Sequence, residues 1–352
     1  MISWPSCRTD SPGATLAQLM AELPLSARWR VPEMFCDASS VSGLRIHLVG
    51  LCCESREGEC ATGSAASVAG PDVVRAYFEL VERAAVLDAT SRQGRHDVCG
   101  RDGAWRARVA AAELFPESPE PERWRYARSN GVALGRDASD ACARAEWELV
   151  ERDRVLRSWQ GESTPLASGV TPDALSASLF DVYEFQSHLF PPAHAEVGSP
   201  HVVVAGVFGF PKQASAPLIF GFAGRATAAD ALDAASRECV QRLGFLWGET
   251  IPVTDPPFAP TAEFHQEYFL WPRQHDKLRS WLAHGRPRQA ARPFEVAQRA
   301  CGERCFADLT PALLRGKLAV MKALPLGELP LVFGESERAT SGVPRSDFHP
   351  IP

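Results

Sequence analysis

Residues 129–153, SNGVALGRDASDACARAEWELVERD, contain the pattern from which both the fold and the site of this chain can be predicted. These residues join a glycine-bearing segment to an Ala-rich stretch that ends in Glu-Leu-Val-Glu-Arg at 148–152. The same pentapeptide stands at 79–83, and Glu-Cys-Val-Gln-Arg stands at 238–242. Each copy lies behind a glycine-bearing loop, so we predict three equivalent helices. The loop glycines are Gly63, Gly131, Gly135, Gly221 and Gly224, and the predicted helices cover about 71–89, 139–159 and 227–246.

The spacing within each copy places two oxygen-bearing side chains on one helix face, because residues i and i+3 are neighbours on a helix. The pairs are Glu79 with Glu82, Glu148 with Glu151, and Glu238 with Gln241. If the three helices converge, their carboxylates and one amide share a small volume, where like charges raise each other's pKa. Magnesium relieves such repulsion, since it prefers oxygen ligands and often binds together with nucleotide phosphates. Zinc is disfavoured because no His or Cys accompanies the pairs.

A single copy of the pentapeptide has a simpler explanation. Glu at i and Arg at i+4 form an ordinary exposed ion pair on a helix, worth about a few tenths of a kcal/mol. Three copies, each behind a glycine, favour the metal-site interpretation instead. Three roles stay open for Arg83, Arg152 and Arg242: holding the carboxylates in place, reaching phosphate, or facing water.

Short apolar runs between these helices predict strands, and the mixture indicates an α+β fold. The polar segment 91–102 is expected to be a surface loop, while 104–113 and 274–284 are expected to be helices. The predicted strands are 43–53, 201–210, 217–224 and one within 318–327.

Composition bounds the class of protein. The chain has 352 residues, and 37 Lys and Arg against 43 Asp and Glu give a net charge of −6. This acidic excess argues against a nucleic-acid binder, which shows a basic footprint. No run approaches the roughly 18 apolar residues of a membrane span, and no signal peptide is recognisable, so a cytoplasmic location without membrane contact is expected. We divide the chain into an N-terminal extension, 1–40, and one domain, 41–352, with a Pro-containing tail over 336–352.

The ten cysteines are expected to be reduced thiols, because a chain of this length needs no disulfide staples. Cys52, Cys53 and Cys60 lie close in sequence, and Cys301 and Cys305 are spaced to share a helix face. Neither group has the C-x-x-C spacing of a structural zinc site. We expect them to be small buried apolar residues.

At the residues of the repeat the sequence resembles the YcaO family. The family pattern begins with a glycine segment and a helix ending in E-x-x-E-R, here Gly63 and 79–83. It continues with S-N-G and a helix ending in E-L-x-E-R-D, here the 129–153 stretch, and then with E-x-x-Q, here 238–241. The second element is the most specific, and the likeness covers about residues 40–352. The segments 265–272 and 309–327 resemble the family more weakly.

The resemblance implies an αβ sandwich in which three helices flank a site for ATP and Mg2+. It also implies an azoline-forming cyclodehydratase, the D-type subunit, which uses ATP to phosphorylate a backbone amide oxygen that then leaves as phosphate. A neighbouring Cys, Ser or Thr of a ribosomally made precursor peptide thereby closes a thiazoline or oxazoline ring. Such chemistry needs charge neutralisation and positioning more than a protein nucleophile. The implied metal ligands are Glu79, Glu82, Glu148, Glu151, Glu238 and Gln241, and the implied nucleotide contacts are Gly63, Ser64, Ser129, Asn130 and Arg152.

The last five residues, Phe348-His349-Pro350-Ile351-Pro352, resemble the P-x-P-x-P ending of azoline-forming members. Prolines fix φ and pre-extend the chain, so such a tail reaches a pocket at low entropic cost. The resemblance implies catalytic roles for Pro350 and Pro352, with the terminal carboxylate orienting or deprotonating the attacking group. His349 is a second candidate base.

Three positions depart from the family pattern. Many relatives have a lysine between glycines where this chain has Ala61-Thr62-Gly63-Ser64, Arg136 stands where Asn is frequent, and Phe348 replaces the first tail proline. Two alternatives therefore stay open: a thioamide- or amidine-forming enzyme, and a catalytically silent scaffold subunit.

The resemblance also implies partners. Only about 40 residues precede the first family-like segment, so we expect a separate ubiquitin-activating-enzyme-like protein to bind the leader of the precursor peptide. A flavin-dependent azoline dehydrogenase and a homodimer within a larger complex are further expectations.

Overall fold

The computed structural model describes residues 11–91, 94–171, 175, 177–193, 202–287, 303–335 and 348–351. The helices are α1 Pro12–Glu22, α2 Val73–Ser91, α3 Ala111–Leu114, α4 Ala138–Trp159, α5 Ala228–Leu246, α6 Ala262–Leu270 and α7 His275–His284. The strands are β1 Glu33–Val41, β2 Leu44–Glu54, β3 Cys60–Ser67, β4 Arg95–Gly100, β5 Trp105–Ala110, β6 Trp124–Tyr126, β7 Val132–Gly135, β8 Leu166–Ala167, β9 Tyr183–Leu189, β10 Val203–Pro211, β11 Ile219–Arg225, β12 Cys305–Asp308, β13 Ala319–Ala323 and β14 Val332–Gly334.

The strands form antiparallel sheets, and the three helices of the repeat pack against them. One sheet has the order β1-β2-β3, a second β11-β10-β9-β8, a third β5-β4-β12-β13-β7, and a ribbon pairs β14 with β6. Helix α2 packs on β3, α4 on β7 and β13, and α5 on β11 and β10. Because α4 also contacts β11 and α5 also contacts β3, the helices join the sheets to one another. The predicted αβ sandwich is confirmed.

Each repeat helix begins at a side-chain cap. Asp137 accepts the Asp140 N–H before α4, and Thr227 accepts the Asp230 N–H before α5. Ahead of α2, Asp72 accepts the Arg75 N–H at 3.0 Å. These caps satisfy N–H groups that the first turn of a helix leaves without a partner.

The repeat glycines lie mainly in strands, which corrects their prediction as loop residues. Gly63 is in β3, Gly135 in β7 and Gly221 in β11, and each faces the backbone of the helix that follows. A Cβ at Gly63 would lie 2.1 Å from the Ala76 carbonyl oxygen, and one at Gly221 would lie 2.4 Å from that of Ala235. Glycine at these positions therefore sets the close helix-to-strand distance.

The segments 91–102 and 104–113 were predicted wrongly as a loop and a helix. They form the hairpin β4–β5, followed by the single turn of α3. The Ala-rich composition of 104–113 favours a helix, but β4 also pairs with β12, where Val98 lies opposite Ala307. Tertiary pairing thus overrides the local preference.

Residues before the predicted domain boundary contribute to the core. Leu16 and Leu19 of α1 pack with the residues of α2, and β1 begins at Glu33, so part of the predicted extension 1–40 belongs to the first layer. The division at residue 40 stays a prediction. Among the helices of the described ranges, none combines the length and apolar character needed to span a bilayer.

Candidate active site

A cleft of about 790 Å³ opens beside α2, α4 and α5, and we call it the acidic cleft. The sequence-predicted residues that line it come from all three copies of the repeat and from the strands and loops around them. They are Ser64, Glu79, Ser129, Asn130, Glu148, Arg152, Glu238 and Gln241. Glu82 and Glu151 lie one turn further along their helices and act electrostatically on the cleft carboxylates. Gly63 lies in β3 against α2, and that packing accounts for its lack of a side chain.

The carboxylates are held by backbone N–H groups of the neighbouring strands. The Ser64 N–H donates to Glu79 at 2.9 Å, and the Leu134 N–H donates to Glu82 at 2.8 Å. Glu151 accepts from the Gly224 N–H at 2.9 Å, and Glu238 accepts from the Phe222 N–H at 3.2 Å. Each bond uses one carboxylate oxygen, so the side chains are positioned while acceptor capacity remains.

Burial and mutual repulsion make the cleft carboxylates hard to ionise. Burial, with the charge of Glu148, raises the pKa of Glu82 to about 8. Burial likewise raises the pKa of Glu148 to about 7, although Arg152 opposes the shift. The pKa of Glu238 is also raised by burial, and Glu151 adds to this. A site with these properties gains from a bound cation, which removes the repulsion that shifts the pKa values.

The three repeat arginines all line the cleft, and each has a different environment. Arg83 forms an ion pair with Glu79 at 2.6 Å and donates to the Thr62 hydroxyl at 2.8 Å. The Nε of Arg152 is buried without a hydrogen-bond partner, 3.5 Å from Glu151. Arg242 stacks over Phe220 at 4.0 Å, and burial lowers its pKa to about 10. Arg125 and Arg128 extend the basic part of the lining.

Two neutral amide oxygens are further candidate metal ligands. The Oδ1 of Asn130 and the Oε1 of Gln241 are buried without a hydrogen-bond partner. Orphaned buried oxygens are rare, and they are ligands that Mg2+ accepts. Within the described ranges, however, no three His, Cys, Asp or Glu side chains lie close enough together to form a metal cluster. The candidate ligand oxygens are spread along the cleft. This arrangement is compatible with Mg2+, because Mg2+ typically uses one or two carboxylates together with phosphate oxygens.

Sequence reasoning missed Lys322, the only lysine of β13. Its Nζ donates to the carbonyl oxygen of Asn130 at 2.7 Å and to that of Arg128 at 3.3 Å. Burial lowers the pKa of Lys322 to about 8, while Glu148 opposes the shift. A single lysine in an otherwise apolar strand, Ala319–Ala323, was the available signal.

The tail folds back onto the protein. Phe348 packs among Phe264, His265 and Tyr268, with ring centroids 4.9–5.4 Å apart, and this aromatic contact explains the departure from proline. Pro350 and Ile351 are buried. Pro352 lies outside the described residues.

Two histidines tie the tail to the ribbon of β6 and β14. The Gly334 N–H donates to Nε2 of His265 at 3.0 Å, so the Nδ1–H of His265 is the donor to the His349 carbonyl oxygen at 3.0 Å. The Nε2–H of His349 donates to Val332, and its Nδ1 is buried without a hydrogen-bond partner. Burial lowers the pKa of His349 to about 4, and Arg152 of the acidic cleft adds to this effect. His265, a second residue that sequence reasoning missed, therefore orients the tail.

An oxygen-rich cleft with basic residues on its walls is typical of enzymes that bind nucleotide phosphates with Mg2+. The family described as YcaO cyclodehydratase, ATP- and Mg2+-binding, matches residues 107–322 of this sequence. The match covers more than half of the chain, so the chain belongs to the YcaO family. The predicted family, the ATP-dependent cyclodehydratase class and the cofactors ATP and Mg2+ are thereby confirmed. No curated protein matches the chain by sequence.

Solved structures share the fold. YcaO from Methanopyrus kandleri bound with AMPPCP and Mg2+ is 17% identical, with a TM-score of 0.57, over 90% of this chain and 91% of that one. A heterocyclase in complex with substrate and cofactor is 15% identical, with a TM-score of 0.56, over 91% of this chain and 52% of that one. The E. coli microcin synthetase McbBCD complex is 12% identical, with a TM-score of 0.53, over 84% and 88%.

Proposed function

We propose that this chain uses ATP and Mg2+ to convert Cys, Ser or Thr residues of a ribosomally made precursor peptide into thiazolines or oxazolines. The observation that carries the proposal is the acidic cleft, where carboxylates from three helices meet buried arginines and orphaned amide oxygens. Mutually repelling carboxylates with raised pKa values suit divalent cations, and the arginines suit phosphate.

Within this proposal, Glu79, Glu82, Glu148, Glu151, Glu238 and Gln241 would hold Mg2+. Ser64, Ser129, Asn130, Arg152 and the backbone at Gly63 contact the nucleotide. The metal supplies charge neutralisation when bound, and the protein contributes position. Phosphoryl transfer of this kind depends on aligned donors more than on a protein nucleophile.

We assign the tail the role of placing the peptide beside the nucleotide. The His349 ring packs against Phe333, a residue of the cleft lining, with ring centroids 5.9 Å apart, so the tail lies beside the acidic cleft. The Nδ1 of His349 has no hydrogen-bond partner, and the pKa of about 4 leaves the ring neutral at physiological pH, as a base must be. Pro350 and Pro352 keep the tail extended.

We further propose that the chain works with other proteins. The E. coli microcin synthetase structure is a complex, and the heterocyclase structure contains its substrate. By analogy, a separate ubiquitin-activating-enzyme-like protein would bind the leader of the precursor peptide. A flavin-dependent dehydrogenase and a second copy of this chain are further proposed partners.

Thermal unfolding tests the nucleotide site. ATP with Mg2+ at about 100 times the dissociation constant stabilises a protein by roughly 2.7 kcal/mol, so the midpoint should rise. The rise should need both components, because the carboxylates and the phosphates share the cation. Stabilisation by ATP alone, equal to that with Mg2+, would contradict the metal assignment.

Removal of the tail tests the azoline branch. Deleting 350–352 also removes Ile351, which is fully buried, so the deletion confounds catalysis with packing. Deleting Pro352 alone is cleaner, and Ile351→Val is a matched control that keeps the tail and trims one methyl group. With precursor peptide and partner present, we expect the deletion to bind ATP normally but to form no ring.

The mass and the fragmentation of the product separate the alternatives. Azoline closure and amidine formation within the peptide each remove one water, whereas thioamide formation replaces oxygen by sulfur. Fragmentation separates the first two, because azoline closure places the loss at a Cys, Ser or Thr residue. A protein that binds the peptide and partner but consumes no ATP would instead support the scaffold alternative. Normal ring formation by the Pro352 deletion would overturn the tail assignment.

A further inference from the structure

Two exposed thiols lie in contact on the first sheet. The Sγ of Cys52, near the end of β2, is 3.1 Å from the Sγ of Cys60, the first residue of β3. Both residues are exposed, contrary to the expectation that this cysteine cluster is buried. Cys53, also in β2, is buried and donates to the Arg30 carbonyl oxygen. In the β2–β3 register Cys52 lies opposite Thr62 and Cys60 opposite Glu54, so the two cysteines are diagonal neighbours on one face.

The pair stands at the wall of the acidic cleft. Cys60 lines the cleft, and the strand that it begins carries the two groups that position α2. These are the Thr62 hydroxyl, which accepts from Arg83, and the Ser64 N–H, which donates to Glu79. A covalent change at Cys60 therefore occurs within four residues of Ser64, a proposed nucleotide contact that also positions Glu79.

We propose that Cys52 and Cys60 are a redox modification site that closes to a reversible disulfide. Two S–H bonds break and one S–S bond forms, while two electrons and two protons pass to a small disulfide such as oxidised glutathione, which becomes two thiols. A mixed disulfide with one cysteine forms first, and the second cysteine then displaces glutathione. Sulfur atoms in a disulfide are about 2.05 Å apart, so closure needs a shift of about 1 Å shared between two exposed side chains.

The environment sets how the reaction depends on pH. The hydrogen bond with Cys52, together with burial, raises the pKa of the Cys60 thiol to about 11. The thiolate is the attacking species, so closure should become faster as the pH rises. The charge of the neighbouring Glu54 also raises the pKa of Cys60. Glu54 itself forms an ion pair with Arg30 at 2.7 Å.

Incubation of the purified chain with oxidised glutathione tests the proposal, with intact mass and peptide mapping as the measurements. The wild-type chain should lose the mass of two hydrogen atoms, keep no glutathione at these positions, and yield a crosslinked peptide pair that contains Cys52 and Cys60. In Cys52→Ser, Cys60 should either keep a glutathione adduct or remain unmodified, and no crosslinked peptide should form. Dithiothreitol should reverse the change in the wild-type chain.

Cys36→Ser is the matched control, because Cys36 is the other exposed free thiol of the described residues and lies on β1. This variant should close the disulfide at the wild-type rate. Mapping also separates the pair from Cys7 and Cys301, which lie outside the described residues. A wild-type chain that keeps both thiols, accumulates a stable glutathione adduct, or crosslinks Cys52 to a different cysteine would overturn the proposal.

Discussion

Helix α4 carries buried carboxylates on two sides, and the protein treats them differently. On one side Glu146 meets Arg304 at 3.2 Å, and Arg304 also binds Glu328 and the Leu324 carbonyl oxygen. We call Glu146, Arg304 and Glu328 the Arg304 cluster. On the other side, two residues further along the helix, Glu148 faces the acidic cleft. Glu146 is fully buried and Arg304 is 3% exposed, so the cluster is the more desolvated of the two.

The pKa values of Glu328 and Glu148 show how the Arg304 cluster and the acidic cleft differ. Burial acts to raise the pKa of Glu328, but the hydrogen bonds and charge of Arg304 outweigh it, and the pKa is lowered. Burial raises the pKa of Glu148 to about 7 even though Arg152 and Lys322 oppose it. The charge of a structural carboxylate is thus balanced by an arginine of the protein. The charges of the cleft carboxylates are balanced only in part, so a cation from solution can stabilise them.

Breaking the Arg304 cluster should give the largest effect on stability. Arg304→Met removes the partner of the partly buried Glu328 and one of the two arginines that pair with the fully buried Glu146, which keeps only Arg101. Loss of one member of a buried ion pair costs about 3–5 kcal/mol. Urea unfolding measures this cost. Arg144→Met is the matched control, since Arg144 is half exposed on α4, the helix of Glu146, and should change stability by less than about 0.5 kcal/mol. A loss below about 1 kcal/mol in Arg304→Met would show that the two regions do not differ as argued.

Removal of a carboxylate charge at the acidic cleft should leave the stability of the fold intact and weaken the binding of ATP with Mg2+. Glu148→Gln and Glu151→Gln keep the shape and one acceptor oxygen but delete a charge, so repulsion falls and the unfolding midpoint should not drop. Mg2+-dependent ATP binding, measured by calorimetry, should weaken at least about 100-fold, which is roughly 2.7 kcal/mol. The control is Glu122→Gln, an exposed glutamate outside the cleft lining. Unchanged ATP affinity in both cleft variants would contradict the assignment of these residues as ligands.

The comparison also shows how far the sequence could predict the site. The repeat located Glu79, Glu148 and Glu238 because helical spacing is local and readable. Lys322 and His265 were missed because their roles arise from contacts across the chain, with Asn130 and with the tail, that no local pattern encodes.

The glycines show the same limit for the fold. Their positions in the repeat were recognised, but their purpose was not, since only the packed structure places Gly63 and Gly221 against helix backbones. The hairpin over β4 and β5 was missed for a related reason, because its pairing with β12 joins residues about two hundred positions apart.

A pH titration of the metal-free protein tests whether ionisation of the cleft carboxylates lowers the stability of the fold. Glu82 and Glu148 have pKa values of about 8 and 7 in the folded protein, above the ordinary 4.5 of an unfolded glutamate. The folded protein therefore holds protons that the unfolded chain has lost, and stability must fall as the pH rises through this range. Histidines with lowered pKa values, such as His349, act in the opposite direction only below their ordinary pKa of 6.5.

The lowered pKa of Lys322, about 8, opposes the carboxylates only as the pH approaches 8. Between pH 6.5 and 8 the carboxylates therefore dominate, and the loss should reach up to about 2 kcal/mol. Denaturant unfolding at several pH values measures it. Glu82→Gln should flatten the slope, and Mg2+ with ATP should offset it. A metal-free stability that rises with pH across this window would contradict the raised pKa values.

The smallest effect is expected at Lys322 of β13, a buried cation that interacts with Glu148 and hydrogen-bonds to the backbone of Arg128 and Asn130. Lys322→Met removes the two hydrogen bonds that hold the 128–130 loop and leaves the Asn130 carbonyl oxygen without its 2.7 Å partner. ATP affinity should fall about tenfold, or roughly 1.4 kcal/mol, because the loop that carries Ser129 and Asn130 loses its anchor. Lys322→Arg keeps a donor and should recover part of the affinity, which a purely structural role would not explain if both variants unfold at the wild-type midpoint. Equal ATP affinity in wild type and Lys322→Met would show that the loop is held by its own backbone and that the lysine serves only to neutralise Glu148.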